Sequence, residues 1–306
     1  MSLVFISQQI IIYSAMIYLV FGVIGNAISI YIFSSVSVYR RTPATFYFLI
    51  EAIFKNIYLL TNLLPRIIGY SYGYEFANIS SLWCKFRQAI LIMSSTVVVA
   101  HTCMSAVDQY LVTSSKAYLR QKSQIKMSHR SFVIIIIVCS LHAIPFFIYL
   151  DISPITKICA SFNPILTTYF PIFSLVIICT MPILFMSVFG SLTYRNIRQT
   201  TVLAEHQADR QLVTMTFLDI TLSFFCSAPL AIYHIYNIIT SGMIKDQDRL
   251  LKEYFAYVII STEITLYYAL SFYIFLFSSS RFRRNVKERL FGKRQTNVIL
   301  PNTQTK

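Results

Sequence analysis

The amino-acid sequence predicts an all-α membrane protein, a bundle of seven transmembrane helices followed by a short amphipathic cytoplasmic helix after the last span. Three observations predict it. Of 306 residues, 56% are hydrophobic and only 12% are charged, and the mean hydropathy is +0.62; a water-soluble globule of this size cannot bury that much apolar surface. The apolar residues form runs of the roughly 20 residues that a membrane-crossing helix needs. They lack the in-and-out alternation over about ten residues that marks a transmembrane barrel strand, as the unbroken apolar stretch 133–138 illustrates. Finally, Lys and Arg are divided unequally between alternate connections.

The first run, 10–33, has no basic residue before it and no small-residue cleavage site after a short apolar core, so it reads as a retained anchor and not as a signal peptide. The runs 45–70, 82–111, 131–150, 166–193, 212–239 and 254–277 complete the seven. Short polar connections make neighbouring helices antiparallel. Residues 1–9 read as an extracellular N-terminus, 10–277 as the seven-span domain, and 278–306 as a cytoplasmic basic helix over 281–291 with a polar tail. No internal repeat or second domain is visible.

Orientation follows from basic residues near span ends, which favour the cytosol. Of the 26 Lys and Arg residues, eighteen fall on the set of connections that includes the C-terminal segment and seven on the other, with Lys55 inside a span. This predicts a multi-pass plasma-membrane protein with its N-terminus outside and its C-terminus in the cytosol. The net charge of +14 is then largely a topology signal plus attraction to anionic inner-leaflet lipid. The charges form no continuous groove, so nucleic acid is not an expected partner.

Enzymatic chemistry finds no support, because there is no His-Glu-x-x-His, Gly-x-Ser-x-Gly, phosphate-cradling glycine loop or Cys-x-x-Cys. No cofactor or metal is expected, the five His being scattered. Span seven has no Lys to form a Schiff base with retinal. Cys103, Cys139, Cys179 and Cys226 lie inside spans; Cys84 and Cys159 alone lie on the oxidising side, where a disulfide between them would pin the loop after span four across the entrance of span three. Asn78-Ile79-Ser80 on the same side is a glycosylation acceptor at Asn78.

Charges inside spans are costly in hydrocarbon and face the bundle interior. Glu51 and Lys55, four apart in span two with the acid first, form a favourable intrahelical pair. Alternatively, Lys55 reaches Asp219 in span six or Glu263 in span seven and holds the bundle in one state.

Taken together, several motifs resemble the rhodopsin-like family of G-protein-coupled receptors across nearly the whole chain. Gly25-Asn26 in span one is similar to the family's Gly-Asn signature, and Trp83-Cys84 is followed by Asp108-Gln109-Tyr110 at the spacing of Asp-Arg-Tyr. Pro145, Pro182 and Cys226-Ser227-Ala228-Pro229 match prolines of spans four, five and six, while Ser271 to Phe275 stands where Asn-Pro-x-x-Tyr is usual, followed by Arg281-Phe282-Arg283-Arg284. The resemblance implies a receptor for an extracellular small molecule or peptide that signals through a heterotrimeric G protein. Asn26, Asn56, Pro182, Cys226, Pro229, Ser271 and Phe275 would then be activation or structural positions. Asp108, Gln109, Tyr110, Arg195, Arg198, Arg281, Arg283 and Arg284 would form the G-protein surface.

The departures also carry expectations. Gln109 replaces the family's arginine and offers no fixed charge or bidentate fork. Asn56 takes the place of the sodium-binding Asp, so no sodium is expected. Ser227 replaces the toggle Trp. Ligand-contact candidates are Arg66, Leu91, Ser95, Tyr233, His234, Asn237, Tyr257 and Glu263; Leu91, where amine receptors carry an Asp, argues against a biogenic amine. Arg66 reads either as a polar anchor for ligand or as a side chain snorkelling to headgroups. The competing readings are a receptor-like protein that has lost coupling, and a seven-helix transporter or channel. A transporter would tend to show repeats and helices broken by Gly or Pro, whereas this chain has seven Gly and an odd number of spans.

Overall fold

The computed structural model describes residues 3–72, 78–154, 159–199, 207–240 and 242–292. Lys157 and the tail after 292, both part of the sequence argument, lie outside the described residues. Seven helices are long and apolar enough to cross a membrane: Leu3–Ser35, Pro43–Gly69, Ser81–Thr113, Ile125–Tyr149, Pro164–Arg198, Gln211–Ile239 and Gln247–Ser278. They form an all-α bundle, here called spans one to seven. Several outrun their apolar stretches; span one begins at Leu3, inside the segment expected to precede it. At 33 residues it is about 50 Å long, well beyond a hydrocarbon core of about 30 Å.

Local chemistry sets these extensions. Span seven starts about two turns before its apolar run because the Asp246 carboxylate accepts from the Arg249 N–H at 3.1 Å. Glu253 then accepts from the Tyr236 hydroxyl of span six at 2.6 Å and pairs with Lys245 at 2.7 Å and Arg249 at 3.1 Å. Span five contains a π-helical turn over Ser174–Thr180. Pro182 follows it and has no N–H to give the Ile178 carbonyl, and the wider turn removes the clash its ring would make there.

Span three is the most buried of the seven and packs against spans two, four, five and six; span four is the least buried. Its outward stripe of Val133, Ile134, Ile137, Val138, Leu141, Ile144 and Ile148 is more than two-fifths exposed at each position, the inverse of a soluble helix and the pattern lipid requires. Spans one and seven approach closely. A Cβ on Gly22 would sit 2.6 Å from Leu59 Cδ1 and 3.0 Å from the Ala269 backbone, and one on Gly25 would sit 3.0 Å from the Phe272 side chain. Beside Gly25, Asn26 is buried and donates to the Tyr268 carbonyl at 3.0 Å.

One end of the bundle carries a hairpin that the sequence reading treated as plain loop. Leu150–Ile152 pairs antiparallel with Cys159–Ser161, with Asp151 opposite Ala160. A Cys84–Cys159 disulfide ties it to the start of span three. Asn78 Oδ1 accepts from the Cys159 N–H at 2.9 Å, so this glycosylation acceptor is also a strut of the hairpin. Asp151 accepts from Ser81 Oγ at 2.7 Å and pairs with Lys85 at 3.4 Å. The Ser81 hydroxyl first, then the Ile152 N–H and Lys85, hold the Asp151 carboxyl below its usual range.

The other end is closed by the helix Ser280–Phe291, which stops at Gly292 with φ +80°. Phe282 is fully buried, with its ring 5.4 Å from Phe33, 6.0 Å from Phe272 and 6.1 Å from Phe275, so this helix docks onto spans one and seven.

Two substitutions test this packing. Replacing Cys84 by Ser opens a link spanning 75 residues, worth about 4 kcal/mol by loop-closure entropy; the purified variant should melt earlier than wild type, and reductant should shift wild type toward it. Gly25→Val forces bulk against Phe272 and should lose about 1–3 kcal/mol, read as a lower midpoint of thermal unfolding.

Candidate functional site

The centre of the bundle is ionic. Lys55 Nζ donates to Ser271 Oγ at 2.7 Å and Glu51 Oε2 at 3.1 Å, and pairs with Asp219 Oδ1 at 3.4 Å. It also lies 4.2 Å over the Tyr267 ring. The Tyr267 hydroxyl meets Asp219 Oδ2 at 3.5 Å and Thr102 Oγ1 at 3.0 Å. All these side chains are buried. The intrahelical Glu51 pair and the reach to Asp219, which the sequence posed as alternatives, are therefore present together, joining spans two, three, six and seven. Glu263 is not part of this cluster; its electrostatic neighbours are Tyr18 and Cys226.

Asn56, which the resemblance would put in the place of a sodium-binding Asp, is half-buried and donates from its amide to the Val23 carbonyl of span one at 3.5 Å. Adjacent helical residues point about 100° apart, and Lys55 is the one that faces Ser271. An ammonium fixed to the chain occupies this part of the interior.

At the disulfide end, spans two, three, five, six and seven enclose a cavity of about 190 Å³. It brings together Arg66, Leu91, Ser95, His234 and Tyr257 among the ligand candidates. Tyr233, Asn237 and Glu263 do not line it; Tyr233 packs against Tyr257 at 5.5 Å and faces a groove bordered by Glu253. Sequence reasoning missed Arg87 and Gln88, which do line it. A signal existed: they lie one helical turn past the disulfide-bonded Cys84, on its face of span three. Arg87 Nη2 donates to Asn62 Oδ1 at 3.1 Å. A second cavity of about 400 Å³ below the hairpin shares Arg87, Gln88 and Phe170 with the first.

At the opposite end, Asp108 is buried and accepts from Ser123 Oγ at 2.5 Å, so its carboxylate serves the loop after span three. Gln109 is buried beside Thr216 and Ile220 in a cavity of about 450 Å³ between spans three, five and six. Tyr110 packs on Phe189 at 5.7 Å. Arg195 and Arg198 are exposed, Arg198 lying 4.7 Å over the Tyr194 ring. Arg281 lies 5.9 Å over Tyr39. Arg283 caps span seven by donating to the Leu276 and Phe277 carbonyls at 2.8 and 2.7 Å. Arg284 is 3.9 Å from Glu288.

Also unforeseen is Gln211 at the start of span six. Its Oε1 accepts from Ser279 Oγ at 2.8 Å and the Arg281 N–H at 3.0 Å, and its Nε2 donates to Ser280 Oγ at 3.0 Å. One neutral side chain thus latches span six to the junction between span seven and the terminal helix. Pro229 and Ser227 lie within span six, whose Ser227 Oγ is 3.4 Å from the Phe224 carbonyl.

No protein-family model matches this chain, and no curated protein matches it.

The ionic centre makes a signed prediction. Lys55→Met leaves two buried carboxyl groups facing each other without their cation and should cost about 3–5 kcal/mol. The triple change Glu51→Gln, Lys55→Met, Asp219→Asn removes every formal charge and should recover most of that loss. Denaturation of the purified proteins in detergent compares them.

Proposed function

We propose that this chain is a plasma-membrane receptor of the rhodopsin-like G-protein-coupled type, with its disulfide end extracellular and its basic end in the cytosol. The observation that carries this reading is the pair of cavities at opposite ends of the bundle, with a buried ionic layer between them. Along span three the order is Leu91 and Ser95 at one cavity, Thr102 at the ionic layer, then Ala106 and Gln109 at the other. A ligand in the first cavity touches spans six and seven directly through His234 and Tyr257. The second cavity, flanked by the exposed Arg195 and Arg198, suits the inserted segment of a heterotrimeric G protein.

In this mechanism ligand shifts an equilibrium between two states of the bundle in proportion to its differential affinity for them. Span six bends at Pro229 and moves away from spans three and seven. Two contacts oppose that motion: Lys55 to Asp219 in the interior and Gln211 to residues 279–281 at the basic end. With Gln109 in place of an arginine, they take over the restraint that a charge contact supplies elsewhere in the family.

The test is second-messenger output with a set of G-protein chimeras at matched surface expression. Gln211→Ala should raise basal output several-fold by freeing span six, and Gln109→Arg should change basal or stimulated coupling measurably. If wild type and both variants are silent with every chimera, with and without candidate ligands, the signalling reading fails and a decoupled receptor or a translocator replaces it.

A further inference from the structure

We infer that the cavity between spans three, five and six at the basic end binds a neutral single-chain lipid, its hydroxyl headgroup on Thr193 and its hydrocarbon chain running toward the centre of the bundle past Gly190, Ala106 and Ile220. The inference goes beyond the receptor reading and rests on this cavity alone.

An unsatisfied hydroxyl marks the site. Thr193 is 4% exposed and its Oγ1 has no hydrogen-bond partner, although a threonine in a helix can donate to the carbonyl four residues back, as Thr102, Thr113 and Thr221 do here. A polar group left unpaired in the interior is costly. Thr193 lines the cavity of about 450 Å³, a size within the range that takes one small molecule. The space reaches one turn deeper along span five, where a Cβ on Gly190 would meet nothing within 4 Å.

Order along the three helices gives the ligand its polarity and direction. Nearer the basic end the lining carries Gln109 and Thr193; about one turn further in come Ala106 and Gly190, and deeper still Ile220. Thr216 also lines the space, but its hydroxyl is already engaged with Ser105 Oγ at 3.3 Å. Polar groups at one level and hydrocarbon at the next fit an amphiphile with its head toward the basic end. Among the described lining residues there is no Asp, Glu, Lys, Arg or His. An ionised headgroup would therefore lose its hydration without gaining a countercharge, whereas a hydroxyl can both donate to Thr193 and accept from it.

The mouth selects a lipid over a solute from water. Tyr194 and Phe217 on its rim are each 57% exposed, and Phe217 shares the outward face of span six with the exposed Phe224 and Phe225. The cavity thus opens sideways between spans five and six, toward the bilayer. A lipid seated there and an inserted segment of a G protein would exclude each other.

The test uses diazirine-bearing derivatives of decanol, decanoate and decane, which share one chain and differ in the headgroup. Full-length protein in phosphatidylcholine nanodiscs is irradiated with each, and the adducts are mapped by mass spectrometry. The decanol probe should label residues 190–197 and 213–220 saturably and several-fold more than the outward stripe of span four, and more than the other two probes do. Gly190→Phe, which fills the cavity, should abolish that preference. Thr193→Val should weaken the decanol probe about fivefold, the loss of one neutral hydrogen bond, and Thr193→Ser should keep most of the binding. Labelling no higher than on span four, the result if only water meets Thr193, overturns the inference. So does equal labelling by decanoate or decane, or labelling unchanged in Gly190→Phe or Thr193→Val; if Gly190→Phe fails to fold, the two Thr193 variants decide. Saturable labelling of a protein that is silent with every chimera would sink the receptor reading alone, and coupling without such labelling would sink this inference alone.

Discussion

An ammonium group buried at the middle of an apolar bundle constrains everything around it. In low dielectric an unmatched charge costs several kcal/mol, so Lys55 dictates that spans two, six and seven meet where Glu51, Asp219 and Ser271 converge on it. Tyr267 extends the cluster to Thr102 on span three. Four helices are thereby held at one depth and in one rotation. The cavities lie on either side of this layer, and any rigid-body movement of span six has to rearrange it. Its polar contacts define a single packing of spans two, three, six and seven.

The two ends are built by different means. The disulfide end is shaped covalently and by short-range hydrogen bonds: Cys84–Cys159, Asn78 to the Cys159 N–H, and Ser81 to Asp151 fix the hairpin relative to span three. Its cavity is therefore a largely preformed space. The basic end is held by aromatic packing around Phe33, Phe275 and Phe282 and by the Gln211 latch, which involves no ionic contact. Neutral hydrogen bonds of this kind contribute about 1 kcal/mol each and re-form in other geometries.

Residue order announced much of the fold. Seven apolar runs of spanning length have no other solution in a solvent that cannot hydrogen-bond to the backbone, and the positions of Cys84 and Cys159 in the sequence identify the covalent link that the structure contains. Helix ends were less legible, since polar caps such as Asp246 extend a helix beyond its apolar core. The hairpin was invisible because three-residue strands carry too little periodicity to be seen. Of the ligand candidates expected from the resemblance, Arg66, Leu91, Ser95, His234 and Tyr257 line one cavity. Arg87 was counted only as a topology charge; its place one helical turn past Cys84, on the same face of span three, was a signal left unused.

The sequence by itself determined that lipid is the solvent, that seven helices cross it, and that the interior must find partners for Glu51, Lys55 and Asp219. Those conclusions depend on composition and on the cost of isolated polar groups, which are properties of the chain read along its length. Only the tertiary structure decided which partners were chosen: that Lys55 and not Asn56 faces Ser271, that Gln211 holds residues 279–281, and that Arg66 and Arg87 share one cavity. Each pairing joins residues from different spans, and the rotation of one helix against another, about 100° for every residue of register, is set by the packing of all the faces at once.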